Sequence, residues 1–392
     1  MALGPRDALL IRGATALERP DDGPQDLLAI EGRIVALGPD SAAAAPAGAQ
    51  QLDVDGLFAA PGLIDLQLNG AAGHDLTEQP GTLWAVAEAL PRYGVTAFLP
   101  TLVSADRDTI ETARRVLLGG PPDGHRGALP LGLHIEGPFL NPAKRGAHPA
   151  GSLRDTDLTF IAGWSPATGV RMVTLAPELP GALDLVRALA SAGVVVSAGH
   201  STATLDESRA GFDAGIRTVT HLFNAMPPLD HRAPGLVAAA LADQRVTTNL
   251  IPDGLHLAPE VVALVWRLTG RRRFSIVTDA ISALGMPPGR YRLAGVDCVV
   301  DETSARIGET LAGSVLGLDE GVRNLVEFTG CSPAEAVDAA SQVPARLIGE
   351  EDRGMLRVGA RADLVLLTRD LRVAATIVGG TVVHTATGAM PG

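Results

Sequence analysis

Four polar residues close apolar, β-prone runs in this chain. Glu136 ends LGLHIE, His200 ends VVVSAGH, His221 ends RTVTH and Asp279 ends FSIVTD. Two imidazoles and a carboxylate are the ligand set of a catalytic zinc-type site that leaves room for water, and a second carboxylate nearby can take that water's proton. Taken singly, a histidine at a strand end is ordinarily a hydrogen-bonded structural residue. Gathered in one place, the four are costly to bury without an ion or a dense hydrogen-bond network.

Neighbouring residues limit the stoichiometry. Gln67 and Asn69 alternate at the end of LIDLQLN and so share a side. Either they are neutral polar filler, or they stand where a second metal would have had its ligands, and amides bind transition metals far more weakly than imidazoles. The single lysine, Lys144, lies in a loop instead of ending a strand, which speaks against a carbamylated lysine bridging two metals. One divalent ion per chain is expected, zinc first, with Fe2+, Co2+ or Mn2+ as alternatives. His148, Asn224, Arg232 and His256 also follow strand ends, in the segments KRGAHP, HLFNAMPP, DHRAPG and PDGLH. An arginine there offers phosphate a bidentate fork. His134 shares a face with Glu136 and is expected behind it, while His74, His125, His231 and His384 read as structural or exposed.

These placements matter because of the elements that carry them. From Pro61 onward eight β-prone runs (63–69, 95–101, 131–137, 172–178, 194–200, 217–222, 246–253 and 274–280) alternate with helical stretches such as 81–92, 107–118, 183–192 and 259–269. Eight parallel βα units predict an α/β fold, the (β/α)8 TIM barrel, whose chemistry sits at the C-terminal strand ends. Further β-like runs (YRLAGVDCVVD) and helices near 318–328 and 333–347 follow. Short strands recur at both termini around the Glu31-Gly32 and Gly379-Gly380 turns. They predict a small accessory β domain, sandwich-like, from residues 1–60 and 350–392, with the barrel as residues 61–349.

Composition excludes several classes. The net charge of -12 argues against general affinity for nucleic acid or anionic membrane. Cys298 and Cys331 form no CxxC pair, which excludes a disulfide framework and a cysteine zinc site. The start, MALGPRDALLIRGATAL, has no secretory pattern, and no apolar run approaches the roughly 18 residues of a membrane span, so a soluble cytoplasmic protein is expected. Hydrophobic residues at 46% and a mean hydropathy of +0.21 supply a sizeable core.

PGLIDLQLNG, GLHIEGPFLNPAKRGAHP, TLAPE, SAGHSTAT, THLFNAMPPL, PDGLHL, VTDA and LAGS, in this order, closely resemble the N-acetylglucosamine-6-phosphate deacetylase family of the amidohydrolase superfamily. PGLID is widespread in the superfamily, whereas HIEGPF, GHS and HLFNAM together are narrower; GARADLVLL resembles its accessory β domain. The resemblance implies metal ligation by Glu136, His200 and His221, with Asp279 as catalytic acid/base. It implies substrate contacts from Ala147, His148, Asn224, Ala225, Arg232, Asp253, Gly254, Leu255, His256, Leu311, Ala312 and Gly313. Many amidohydrolases carry two histidines where Gln67 and Asn69 stand, a departure that bears against a two-metal mechanism. The activity implied is metal-dependent removal of the acetyl group from N-acetylglucosamine 6-phosphate, in amino-sugar catabolism and cell-wall recycling, by a homodimer. The alternatives are an amidohydrolase acting on an isomeric amino-sugar phosphate or cyclic amide, and a non-catalytic sugar-phosphate-binding barrel.

Overall fold

A computed structural model describes residues 8–388. Residues 1–7 and 389–392, which the sequence assigns to the accessory β domain, lie outside the described residues.

The eight apolar runs form the strands Leu63–Leu68, Val95–Val103, Leu133–Glu136, Val170–Leu175, Val195–Ala198, Ile216–Val219, Thr247–Leu250 and Phe274–Ile276. Each pairs in parallel with the next. The seam between first and last is bridged by the Asp279 amide donating to the Gln67 carbonyl (2.9 Å) and the Asn69 amide donating to the Ala280 carbonyl (2.8 Å). The result is a (β/α)8 barrel. Its strands read as continuous apolar runs because side chains fill the inside and helices cover the outside; Val95–Val103 is buried at every position.

Helices follow the strands where caps start them. Asp106 accepts the Thr109 amide to open Arg107–Leu118, and Thr204 with Glu207 forms a capping box ahead of Leu205–Ala214. The stretch expected as one helix from Pro333 to Leu347 is two, Pro333–Ala339 and Gln342–Leu347. Pro344 cannot donate to the Ala340 carbonyl and its ring would clash there, so the first helix stops and a new one begins around it.

Strands from both ends of the chain share one eight-stranded sheet, joined where Phe58–Pro61 pairs antiparallel with Leu364–Leu367. It buries its own cluster, including Leu9, Ile11, Leu27, Ile34, Leu364 and Ile377. After the eighth strand, Gly289–Leu293, Val296–Val300, Ala305–Ile307 and Thr310–Leu311 build a separate four-stranded antiparallel sheet beside the barrel mouth. Among the described residues no helix is long and apolar enough to cross a membrane.

Candidate active site

His200, His221 and Asp279 stand two or three residues past the ends of their strands, in the left-handed region, with φ of 50°, 29° and 52°. Only glycine enters that region freely, and a non-glycine residue there carries about 1–3 kcal/mol of strain. At each of these positions the backbone leaves strand geometry where the side chain joins a cavity of about 580 Å3 at the barrel mouth. Glu136, on the third strand, lines the same cavity.

Glu136 Oε1 lies 3.2 Å from His200 Nε2 and 3.2 Å from His221 Nε2, and the two Nε2 atoms are 3.1 Å apart. Ligands about 2.1 Å from a tetrahedral ion would sit roughly 3.4 Å apart, so the spacing fits a metal ion. Donor chemistry agrees. His200 Nδ1 is 2.9 Å from the Lys144 carbonyl, which fixes the proton on Nδ1 and turns the Nε2 lone pair toward the Glu136 carboxylate. One acceptor facing another at that distance calls for a cation between them. For His221 burial opposes protonation, and Glu136 raises the pKa in spite of it. A second set, Glu136, His148 and His200, also converges within 4.8 Å, but His148 Nε2 stands 3.9 Å from Glu136 Oε2, looser than the first triad.

Asp279 is buried, and burial followed by the Glu136 charge raises its pKa. Its Oδ1 accepts Gln67 Nε2 at 3.0 Å and Asn69 Nδ2 at 2.7 Å, while Gln67 Nε2 also reaches Glu136 Oε1 at 3.1 Å. The two amides therefore aim N–H groups, not carbonyl oxygens, at the carboxylates. They hold Asp279 in place by one oxygen and leave Oδ2 for chemistry. Gly313 lies directly against this backbone: a Cβ there would fall 2.6 Å from the Asp279 carbonyl, and its φ is +63°. The approach lets the Ser314 amide donate to that carbonyl (2.9 Å), tying Leu311–Gly313 to the eighth strand.

His148 stands 2.7 Å from Ser104 Oγ and packs edge-on to His200, and burial pushes its pKa down to about 3, so it is neutral at neutral pH. His134 lies below the site between Thr101 and Thr174, its pKa lowered to about 4 by burial. His256 Nδ1 is clamped 2.6 Å from Asp253 Oδ2; burial of Asp253 opposes its charge, but the imidazole outweighs that and lowers its pKa.

Of the substrate contacts expected from the sequence, Ala147, His148, Asn224, Ala225, Leu255, His256, Leu311 and Gly313 line the cavity. Asp253 and Gly254 stand behind His256, Ala312 is buried in the small sheet's core, and Arg232 is exposed on a loop off the cavity wall. Val103, Leu293, Arg306, Glu309 and Thr310, which carry no signal in the sequence, also line it. Four of these belong to the four-stranded sheet or its last turn, and nothing in their residue types announces that this sheet faces the barrel mouth.

Comparison with known proteins adds to this geometry. Residues 58–383 match the Amidohydrolase family. The chain is 40% identical over 353 residues to N-acetylglucosamine-6-phosphate deacetylase of Homo sapiens, covering 85% of each chain. It is also 40% identical over 319 residues to N-acetylgalactosamine-6-phosphate deacetylase of Escherichia coli O157:H7, covering 80% of this chain and 84% of that one. A mutant of N-acetyl-D-glucosamine-6-phosphate deacetylase from Mycobacterium smegmatis, solved in complex with N-acetyl-D-glucosamine-6-phosphate, aligns with a TM-score of 0.85 at 35% identity over 97% of this chain and 100% of that one.

Proposed function

The chain belongs to the amidohydrolase family, and from that premise we propose that it hydrolyses the acetamide of N-acetylglucosamine 6-phosphate to glucosamine 6-phosphate and acetate, in amino-sugar catabolism and cell-wall recycling. The observation that carries this is the convergence of Glu136, His200 and His221 beside Asp279 in one cavity at the C-terminal face of the barrel.

Glu136, His200 and His221 are the residues that would hold one divalent ion, zinc being the best match to two imidazoles and a carboxylate. When bound, the ion supplies Lewis acidity that activates water and polarises the amide carbonyl. The remaining steps belong to the protein. Asp279 Oδ2 takes the proton of the attacking water and returns it to the departing amine, while Gln67 and Asn69 keep Oδ1 fixed. Neutral His148, held by Ser104, presents its other ring nitrogen to the amide oxygen or a sugar hydroxyl. Ala147, Asn224, Ala225, Leu255, Leu311 and Gly313 shape the sugar site, with Gly254 and Ala312 supporting it.

His256, oriented by Asp253, is assigned to the phosphate. Arg232 lies off the cavity wall of its own chain, and we assign the protein as a homodimer in which Arg232 reaches the phosphate of the neighbouring subunit. We assign the accessory β domain to residues 1–60 and 350–392, the catalytic barrel to residues 61–349, and the enzyme to the cytoplasm, where two free, buried cysteines suit a reducing milieu.

The galacto epimer is a second candidate substrate, because the Escherichia coli relative named for it matches at the same identity as the human one. Acetate release from both N-acetylhexosamine 6-phosphates and their unphosphorylated forms tests the proposal. Turnover restricted to phosphorylated sugars supports it, the ratio between epimers names the substrate, and turnover of neither phosphorylated sugar by metal-loaded protein overturns it.

A further inference from the structure

Lysine and arginine together number 32, and Lys144 is the only lysine among them. It lines the active-site cavity. Where arginine has filled every other cationic position, the one ammonium group faces the site.

Its surroundings leave most of the ammonium's donors free. Lys144 sits in the loop after the third strand, and its carbonyl fixes His200 Nδ1 (2.9 Å). Its Nζ crosses to the loop after the sixth strand and donates to the Met226 carbonyl at 3.3 Å. Met226 directly follows Asn224 and Ala225, which line the same cavity. An ammonium carries three N–H donors on a compact head, so one can hold Met226 and two remain. Among the described residues no carboxylate pairs with Lys144 and no second acceptor reaches Nζ. Half-buried, it is a cation with unspent donors on the wall of a cavity that also takes in Arg306 and the carboxylates Glu136, Asp279 and Glu309. Arg232, the cation expected for phosphate, does not reach this wall from its own chain.

We propose that Lys144 is a specificity-determining residue, whose ammonium binds the phosphate monoester of the substrate from within the same chain, beside Asn224 and Ala225. This rests on the sugar-phosphate hydrolase reading above and adds to His256 a group of this chain that carries positive charge to the phosphate.

Lys144→Gln tests it, since the amide keeps an N–H for Met226 and leaves the backbone carbonyl on His200 untouched while removing the charge. The expected result is a kcat/KM for N-acetylglucosamine 6-phosphate lowered about 10- to 100-fold, the range for a charge-assisted hydrogen bond, mostly through KM. Unphosphorylated N-acetylglucosamine should change less than about threefold, with metal content at the wild-type level. Equal losses on both sugars would make Lys144 a loop staple and overturn the proposal.

A second measurement is independent of turnover. Reductive methylation with 13C-formaldehyde marks one side chain in the metal-loaded wild type, the N-terminal amine being separated by peptide mapping. Inorganic phosphate should slow modification of Nζ and shift its methyl resonance, whereas the same ionic strength of chloride should not. Insensitivity to saturating phosphate overturns the proposal. If the wild type turns over neither sugar, the hydrolase reading fails by itself, and phosphate protection still decides the role of Lys144.

Discussion

Replacing Asp279 by asparagine separates proton transfer from metal binding. Both amide donors, Gln67 Nε2 at 3.0 Å and Asn69 Nδ2 at 2.7 Å, converge on Oδ1. An asparagine that keeps its oxygen at that position retains both contacts and places its NH2 where Oδ2 was. Asparagine also tolerates the left-handed backbone that Asp279 adopts (φ 52°). The geometry survives, and only the proton acceptor is lost. Loss of a general base costs about 10²- to 10⁴-fold in kcat, or about 3–5 kcal/mol of barrier at 1.36 kcal/mol per decade. KM for the sugar phosphate should change modestly. The three ligand atoms 3.1–3.2 Å apart are untouched, so elemental analysis should find metal near the wild-type level. The metal-free variant should also melt above the wild type, because it no longer holds a buried carboxylate against Glu136. His200→Asn provides the contrast, losing metal and rate together. An Asp279→Asn protein that purified without metal would make Asp279 a ligand first, and His148 would become the candidate base. A kcat within tenfold of wild type would remove Asp279 from proton transfer altogether.

Other expectations follow from the same geometry. Because Gln67 and Asn69 turn their N–H groups to Asp279, elemental analysis of active protein should find about one catalytic metal per chain; two tightly bound ions, both needed for activity, would refute this. Arg232→Met should lower kcat/KM for the phosphorylated sugar about 10- to 100-fold and spare the unphosphorylated one, and equal losses would assign Arg232 to structure. Asp65, buried at the seam and accepting the Gln67 amide (3.1 Å) and the Thr278 hydroxyl (2.5 Å), has its pKa pushed up to about 7 by burial. The fold holds that proton more tightly than the unfolded chain does. Its stabilising contribution is therefore full below the unfolded value of about 4 and is lost as pH rises through about 7. The stability of the wild type relative to Asp65→Asn, from denaturant titrations of metal-free protein, should fall between those pH values; a flat difference would contradict the shift.

The barrel was legible in the residue pattern because each of its strands is buried on both faces and must be an apolar run, bounded by glycine, proline or polar residues. The same logic exposed Glu136, His200, His221 and Asp279. A charged or polar group at the end of such a run is out of place unless the mouth of the barrel receives it, and the alternation of strand and helix puts all such ends on one face. Local pattern also located Arg107–Leu118 without error in its bounds, since its cap and apolar spacing lie within a few residues of each other.

What the pattern did not contain depends on distant segments meeting. Gln67 and Asn69 could be neutral filler or absent ligands until the fold placed Asp279, 212 and 210 residues away, against their N–H groups. The left-handed turns at His200, His221 and Asp279 are imposed by the loops that leave each strand, since histidine and aspartate tolerate such a backbone without requiring it. The small sheet that brings Arg306, Glu309 and Thr310 to the cavity is set by packing over the mouth, and its β-prone runs would read the same on any face. Arg232 looked like a cavity residue because it follows a strand end, but the loop carries it outward. Lys144 was visible from the start as the only lysine, yet its meaning waited on the tertiary contact with Met226 and the cavity beside it. Sequence determines which residues can be buried and at which end of an element they lie; the direction a side chain takes from there is decided by the loops and neighbours that only the folded chain supplies.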